Sequence, residues 1–227
     1  LCEVENKVVI QDLLKNSFFQ NHSYTIIHNN SPDNRGIDCA LLFDNNFKLL
    51  KHDFIKVKLP NAQRPTRDIV YVQLKIQNQI LNVFVNHWPS RWGGQHETNH
   101  KRVFTATILK SYIEKNINKD EYVIIMGDLN DYPSNESVKD ILVQDDFINL
   151  MDSISNPNAG SYNYKGVWNF IDHIIVSKNF FHKESVLRTE NYNVFKQDWL
   201  LYTNKKHEQY PSRTYGGKKW HGGFSDH

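Results

Sequence analysis

The apolar residues of this chain come in short runs, and most runs stop at a turn or at a polar residue able to bind a ligand. Runs at 24–27, 38–43, 47–59, 69–76 and 80–85 are rich in Val, Ile, Phe and Tyr, the composition of strands. Asp44-Asn45-Asn46 and Gln77-Asn78-Gln79 stand between runs as hairpin turns. The run at 122–126 is continuous and apolar, like a buried strand, and 170–176 reads as another. Helical spacing interrupts the strands. Over 6–20, Ile10, Leu14 and Phe18 recur every fourth residue, and over about 100–116 Phe104, Ile108 and Tyr112 do the same. A third helix is expected over 134–142, with Ser134 as its N-cap and Ser137 in its first turn. Beyond about 188 the chain reads as loop, with Pro211, Gly216, Gly217, Gly222 and Gly223. Mixed elements with frequent hairpins predict an α/β fold with mixed or antiparallel sheets, not a repeating βαβ fold.

At 227 residues, with no repeat and no linker, one domain spanning 1–227 is expected. Hydrophobic residues at 39% and charged residues at 23% exclude a disordered or collagen-like chain. No apolar run reaches the roughly 20 residues of a membrane-spanning helix. The sequence shows no signal-like start, and its compartment, exported or cytoplasmic, stays open. Cys2 and Cys39 sit in apolar settings and read as small buried hydrophobes. A net charge of +2 does not imply a polyanionic partner. The chain has 20 Lys against 7 Arg, however, and several Arg stand in Gly- or Pro-containing turns. Such positions suit a rigid fork for phosphate or carboxylate, though scattered surface charge is an equal reading for any one of them.

Three apolar runs end in ligand-type residues, and so does the sequence itself. Val83-Phe84-Val85 leads into Asn86-His87-Trp88-Pro89-Ser90-Arg91, and the run to Met126 leads into Gly127-Asp128-Leu129-Asn130. Phe170-Ile171 leads into Asp172-His173, and the sequence closes on Gly223-Phe224-Ser225-Asp226-His227. Strand ends on a rigid sheet are common places for sites. Oxygen ligands two residues apart beyond a strand suit Mg²⁺, Mn²⁺ or Ca²⁺. An Asp beside a His can orient the imidazole and stabilise its charged form. No Cys or Ser nucleophile stands out.

In these motifs the sequence resembles the endonuclease/exonuclease/phosphatase superfamily, along its whole length. Leu1-Cys2-Glu3-Val4-Glu5-Asn6 is similar to the family's Glu motif, Arg35-Gly36-Ile37-Asp38 to the motif entering its next hairpin, and Asn86–Arg91 to its His motif. Gly127-Asp128-Leu129-Asn130, Phe170-Ile171-Asp172 and Ser225-Asp226-His227 match its later motifs. The extended forms around His87 and Arg213 are most similar to bacterial members. The resemblance implies a four-layer α/β sandwich, two mixed β-sheets face to face with helices outside. It implies divalent-metal-dependent phosphoester hydrolysis, with Mg²⁺ or Mn²⁺ and Ca²⁺ as a further option. The expected substrate is nucleic acid first, then a phospholipid or inositol phosphate, acted on by a monomer without a membrane span.

Carried onto this sequence, the resemblance makes Glu3 a metal ligand, Asp226 a direct or water-mediated metal ligand, and Asp128 the group that aligns or deprotonates water. Asn130 positions that water and the phosphate, His87 donates to the phosphate or assists the leaving group, and His227 contacts the phosphate or acts as base, held by Asp172. Ser90 is expected to bind phosphate, and Arg35, Arg91 and Arg213 to bind substrate. An Asn that the family carries upstream of its Glu motif has no counterpart here, and a first and a last strand are expected outside the sequence.

One rival motif is present. His96-Glu97-Thr98-Asn99-His100 is a literal H-E-x-x-H, the signature of zinc peptidases. It lacks the extended form, with Val103 and Ala106 where Gly and a third His would stand. A chance match is the better reading. From a third class, the chain could be a binding module without activity, which the near-complete set of site residues argues against. The aromatic and basic C-terminal stretch, with Tyr202, Tyr210, Tyr215 and Trp220 among Lys205, Lys206, Lys218 and Lys219, is read equally as a nucleic-acid grip and as a solvated loop.

Overall fold

The computed structural model describes residues 1–227 except 63, 145, 157, 190 and 191. Helix α1 (Lys7–Leu14) is opened by Asn6, whose side chain accepts from the amides of Val8 and Val9. It is shorter than the expected 6–20. Asn16 turns to extended backbone, and its side chain caps a single 3₁₀ turn at Ser17–Phe19, leaving Phe18 exposed. Strands β1 (Tyr24–His28) and β2 (Ala40–Asp44) form an antiparallel pair. β3 (Lys48–Ile55) stops short of the expected 59 and carries a bulge between Leu49 and Lys51. β4 (Ile69–Ile76) and β5 (Gln79–His87) close a two-residue hairpin through Gln77, which has φ 54°.

Helix α2 (Gln95–Asn116) begins about five residues before the expected start, with Glu97 in its first turn, where the helix dipole favours a carboxylate. β6 (Tyr122–Asp128) follows. The third expected helix is instead a π-helical segment, Ser137–Val143, preceded by a turn. Ser137 donates to Asp131 Oδ2 at 2.6 Å, and Asn135 Oδ1 accepts from the Tyr132 amide, so both side chains hold the loop after β6. β7 (Phe147–Asn149), a short hairpin of β8 (Tyr162–Tyr164) and β9 (Val167–Asn169), and β10 (Asp172–Ser177) come next. The stretch beyond 188, expected as loop, carries two small hairpins: β11 (Leu201–Thr203) with β12 (Gln209–Pro211), and β13 (Tyr215–Gly216) with β14 (Lys219–Trp220).

Six strands form the main sheet in the order β3-β4-β5-β6-β10-β7, with only β5 and β6 parallel. One face packs on α2 and the π-helical segment through Tyr71, Phe84, Ala106, Leu109, Ile125 and Leu142. The other packs on β1-β2 through Ile27, Phe43, Val72, Val83 and Val85. Ile10 of α1 covers the outer face of β1-β2, against Ala40 and Val4. The layers therefore run helix, sheet, sheet, helix, as expected, with the second sheet reduced to two strands. Among the described residues no helix is long and apolar enough to cross a membrane.

Candidate active site

Sheet register builds the site. His87 ends β5 and pairs with Asp128 at the end of β6, and Asp128 pairs with Asp172 at the start of β10. Three neighbouring strands thus set His87, Asp128 and Asp172 in one row across the sheet. Gly127 makes this possible. Its φ is 123°, and a Cβ there would lie 2.0 Å from the Asn86 carbonyl oxygen, so only glycine fits.

His227 closes over the row from the C-terminal tail. The amides of Phe224 and Ser225 both donate to the Ser212 carbonyl, which fixes the approach. His227 Nδ1 lies 3.0 Å from Asp172 Oδ2 and 4.0 Å from Asp128 Oδ2, and its ring meets Tyr162 edge to face. The first is a close ion pair out of hydrogen-bond line, since buried Asp172 Oδ2 has no aligned donor among the described residues. The Asp172 amide donates to Ser161 Oγ at 3.2 Å. On the other side of the row, His87 Nε2 is 3.4 Å from Asp128 Oδ2.

Asn130 has φ 52°, a left-handed conformation that Asn tolerates. Its amide donates to Asp128 Oδ1 at 2.8 Å, and its Nδ2 donates to Asp128 Oδ2 and to the Trp88 carbonyl. Among the described residues its Oδ1 makes no hydrogen bond.

The electrostatics divide the row into unlike partners. Burial, with repulsion from Asp172, pushes Asp128 up to about 8. Burial also weighs against an ionised Asp172, but pairing with His227 outweighs it and holds Asp172 below the usual carboxylate range. For His227, burial works against the charge, yet Asp172 and then Asp128 raise it to about 9. Burial and the Arg67 and Arg35 charges lower His87 to about 3, so it is a neutral imidazole. Two titratable pairs pushed apart in this way mark functional sites.

The ligand-type side chains brought together among the described residues are Asp128, Asp172 and His227. Glu3 and Asp226 lie outside that group, and both are exposed. Glu3 stands with φ 58° next to Cys2, whose thiol reaches the Asn86 carbonyl at 3.3 Å, so it borders the row. Asp226 acts on His227 through its charge. Buried Asp128 beside half-buried Asp172, whose Oδ2 has no aligned donor among the described residues, offers carboxylate oxygens that fit a divalent cation. Cys39 is buried and Cys2 half-buried, both with free thiols, in keeping with their reading as small hydrophobes.

Arg35 and Ser90 line a groove of about 1160 Å³ with Arg64, Trp92, His100 and Lys101. Arg213 lies toward Tyr162, on the His227 side. Arg91 is engaged elsewhere. It donates to the Asn130 carbonyl at 2.7 Å and to Asn135, pairs with Asp131, and stacks on Tyr132. His96, Glu97 and His100 ride on the first turns of α2, and no metal-holding group among the described residues includes them.

Sequence reasoning missed the network beneath Asn130. Asp131 is fully buried and lies 2.8 Å from Nε of fully buried Arg102. It also accepts from Ser137, while His173 Nε2 donates to its carbonyl and His173 Nδ1 accepts from Asn149 Nδ2. The available signal was Arg102 itself, an arginine inside a helix of a Lys-rich chain.

The sequence matches the endonuclease/exonuclease/phosphatase family over residues 1–227. No curated protein matches it in sequence. Truncated TDP2 from Caenorhabditis elegans is similar in structure, with a TM-score of 0.58 at 21% identity over 78% of this chain and 68% of that one. TDP2 from D. rerio, complexed with a single-strand DNA product, gives 0.58 at 17% identity over 78% and 69%. The human Nocturnin catalytic domain with bound sulfate gives 0.60 at 19% identity over 79% and 68%. The full-length match, on a fold that sets His87, Asp128 and Asp172 in one row, makes this chain a member of the endonuclease/exonuclease/phosphatase family, whose enzymes hydrolyse phosphoester bonds.

Proposed function

We infer that the chain hydrolyses a phosphoester with a divalent cation, and that its substrate is a nucleic acid. The observation that supports this best is the row itself: a neutral His87, a buried Asp128 and an ion-paired Asp172–His227, side by side at the ends of adjacent strands. His227, charged through its pairing with Asp172, is a poor metal ligand, because a ligating imidazole must be neutral. The cation is left to oxygen donors, Asp128 with Glu3 and Asp226 at its border, a set that suits Mg²⁺ or Mn²⁺ over Zn²⁺. Such an ion supplies charge neutralisation on the phosphate oxygens.

The chain's own residues do the rest. Asp128, once ionised, accepts a proton from the attacking water, which the Oδ1 edge of Asn130 aligns. Charged His227 donates to a non-bridging phosphate oxygen, and Asp172 keeps it charged and oriented. Neutral His87 donates from Nε2 toward the phosphate or the leaving oxygen. Phosphoryl transfer calls chiefly for positioning and electrostatic stabilisation, with little covalent chemistry from the protein.

The test is a hydrolysis screen over plasmid DNA, single-stranded oligonucleotides, RNA, sphingomyelin and inositol phosphates, with EDTA and with Mg²⁺, Mn²⁺ or Zn²⁺ restored. Cleavage of a nucleic acid that EDTA abolishes, that Mg²⁺ or Mn²⁺ restores, and that Asp128→Asn loses is the expected result. Exclusive turnover of a lipid or inositol phosphate would move the substrate. Restoration by Zn²⁺ alone, with loss in His96→Ala, would overturn the chemistry.

A further inference from the structure

The two cysteines face each other at the border of the row. The Leu1 nitrogen donates to the Ala40 carbonyl at 2.8 Å, and the Ala40 amide donates back to the Leu1 carbonyl at 3.0 Å. Further along, the Val4 amide donates to the Asp38 carbonyl at 3.0 Å and the Asp38 amide to the Val4 carbonyl at 2.7 Å. Between these antiparallel pairs one segment carries Cys2 and Glu3, and the other carries Cys39 alone. That is a bulge, with Glu3, at φ 58°, as the extra residue. Cys2 and Cys39 are therefore opposed between two hydrogen-bonded pairs, a position where Cα atoms lie about 4.5 Å apart and side chains come closest. Both side chains pack on the core between the main sheet and β1-β2, and the thiols are hydrogen-bond partners.

Packing accounts for Cys39, which is 2% exposed. It does not account for Cys2. That residue is half-buried, its thiol donates to the Asn86 carbonyl at 3.3 Å, and it lies against the Asp128 backbone, so it borders the row as well as the core. One accessible cysteine opposite a sheltered one is the layout of a sulfur that meets an oxidant and a second that resolves it. A Cα separation near 4.5 Å is at the short end of the roughly 4.4–6.8 Å that disulfides span, so a bond made there is strained and easily reduced. Glu3 shares the bulge. Drawing the Cys2 sulfur onto Cys39 takes it off the Asn86 carbonyl and turns the left-handed residue between Cys2 and Val4 with it.

We propose that Cys2 and Cys39 form a reversible disulfide, and that its formation moves Glu3 away from the cation, so that oxidation unloads the metal. The oxidant is a hydroperoxide. The Cys2 sulfur attacks one peroxide oxygen, the O–O bond breaks, and the other oxygen leaves with the thiol proton as water or an alcohol. Cys2 is then a sulfenic acid. The Cys39 sulfur attacks the Cys2 sulfur, the S–O bond breaks, and the hydroxyl leaves with the Cys39 proton as water. Two thiols lose two electrons and two protons, and the peroxide takes both. The effect on the metal rests on the reading of Glu3 as a cation ligand, whereas the disulfide stands on the bulge alone.

The test needs no turnover. The full chain, reduced and metal-free, is treated with hydrogen peroxide, then read by mass spectrometry of unreduced peptides and by calorimetric titration with Mn²⁺. The peptides of Cys2 and Cys39 should be linked, and dithiothreitol should return both thiols. Mn²⁺ affinity should fall about 10-fold or more on oxidation, the scale of disturbing what orients a metal ligand, and recover on reduction. Cys39→Ala should bind Mn²⁺ like the reduced parent and form no link. Excess peroxide should carry its Cys2 to a sulfinic acid that dithiothreitol does not reverse. Cys2→Ala should keep the sheltered Cys39 thiol free under the same treatment. Survival of both thiols in the parent, linkage only between chains, or a disulfide that leaves Mn²⁺ affinity unchanged would overturn the switch. If the link forms while the reduced chain binds no Mn²⁺, the disulfide stands and the metal reading falls.

Discussion

Asp131→Ala should cost this protein more stability than any exposed substitution at the site. The carboxylate is fully buried, as is the Arg102 guanidinium it faces at 2.8 Å. Removing it leaves Arg102 with neutral partners only: Thr98 Oγ1 at 2.9 Å, the Gln95 carbonyl at 3.2 Å, and the Pro89 and Ser90 carbonyls at 3.4 Å. Breaking a buried pair by deleting one partner costs about 3–5 kcal/mol, because a charge is stranded out of water. Each kcal/mol shifts Tm by about 2–4 °C in a chain of this size, so the midpoint should fall by roughly 6–20 °C. Replacing both partners together, Asp131→Leu with Arg102→Met, strands no charge and should recover much of the loss, since well-packed apolar pairs often equal buried ion pairs. Turnover should still fall in the double variant, because Ser137, Arg91 and His173 no longer hold the Asn130 loop as a unit. Scanning calorimetry on the three proteins reads the first part, and hydrolysis rates read the second. An Asp131→Ala protein within about 1 kcal/mol of the parent, or a double variant no more stable than the single, would refute the stranded-charge argument.

Three other outcomes are expected. Because Asp128 binds its proton up to about 8, a cation must displace it. Apparent Mn²⁺ affinity should weaken about tenfold per unit below that pH, with proton release visible by calorimetry in buffers of different ionisation enthalpy. A pH-independent affinity would detach Asp128 from the metal. The charged His227 should make turnover fall as pH rises through about 9, and the stability its pair with Asp172 provides should be complete below the unfolded histidine value near 6.5 and lost over the same rise. His227→Ala should abolish that alkaline limb, and a limb that persists would assign it elsewhere. Gly127→Ala has no room for its methyl group beside the Asn86 carbonyl and should destabilise, the clash outweighing the up to about 1 kcal/mol that alanine's lower chain entropy contributes in favour of folding, as urea denaturation would show.

The row was legible in the sequence because its members mark where apolar runs stop. His87 and Asp128 close runs that read as strands, Asp172 opens one, and the turn chemistry of Gly127 is local. What the sequence withheld is long-range. Nothing near Asp131 announces Arg102 or His173, since that network exists only after α2 and β10 pack on either side of the loop. Arg91 looked like a phosphate fork, and its donors instead hold the Asn130 carbonyl and Asn135, because a carboxylate and a carbonyl inside the fold present the same geometry as a phosphate. The early stop of α1 is local but ambiguous: apolar spacing favoured continuation to Phe18, and the Asn16 side chain won by capping the next turn. The π-helical segment has no distinct periodicity to read, and the bond from Ser137 at its start to Asp131 is silent in the local pattern.

The placement of the row in the ladder has a bearing on how the protein matures. β6 is held parallel on one edge and antiparallel on the other, and its pairing continues past the strand end, with the Trp88 amide donating to the Asp128 carbonyl and the Leu129 amide to the Ile171 carbonyl. A slip of a single residue would turn every side chain of β6 over, sending Asp128 to the face that packs on α2 and a glycine into its place. No partly correct assembly can therefore yield a weakly active protein. Reactivity and correct strand pairing arise in the same event, so the onset of turnover during refolding should coincide with protection of the β6 amides from exchange.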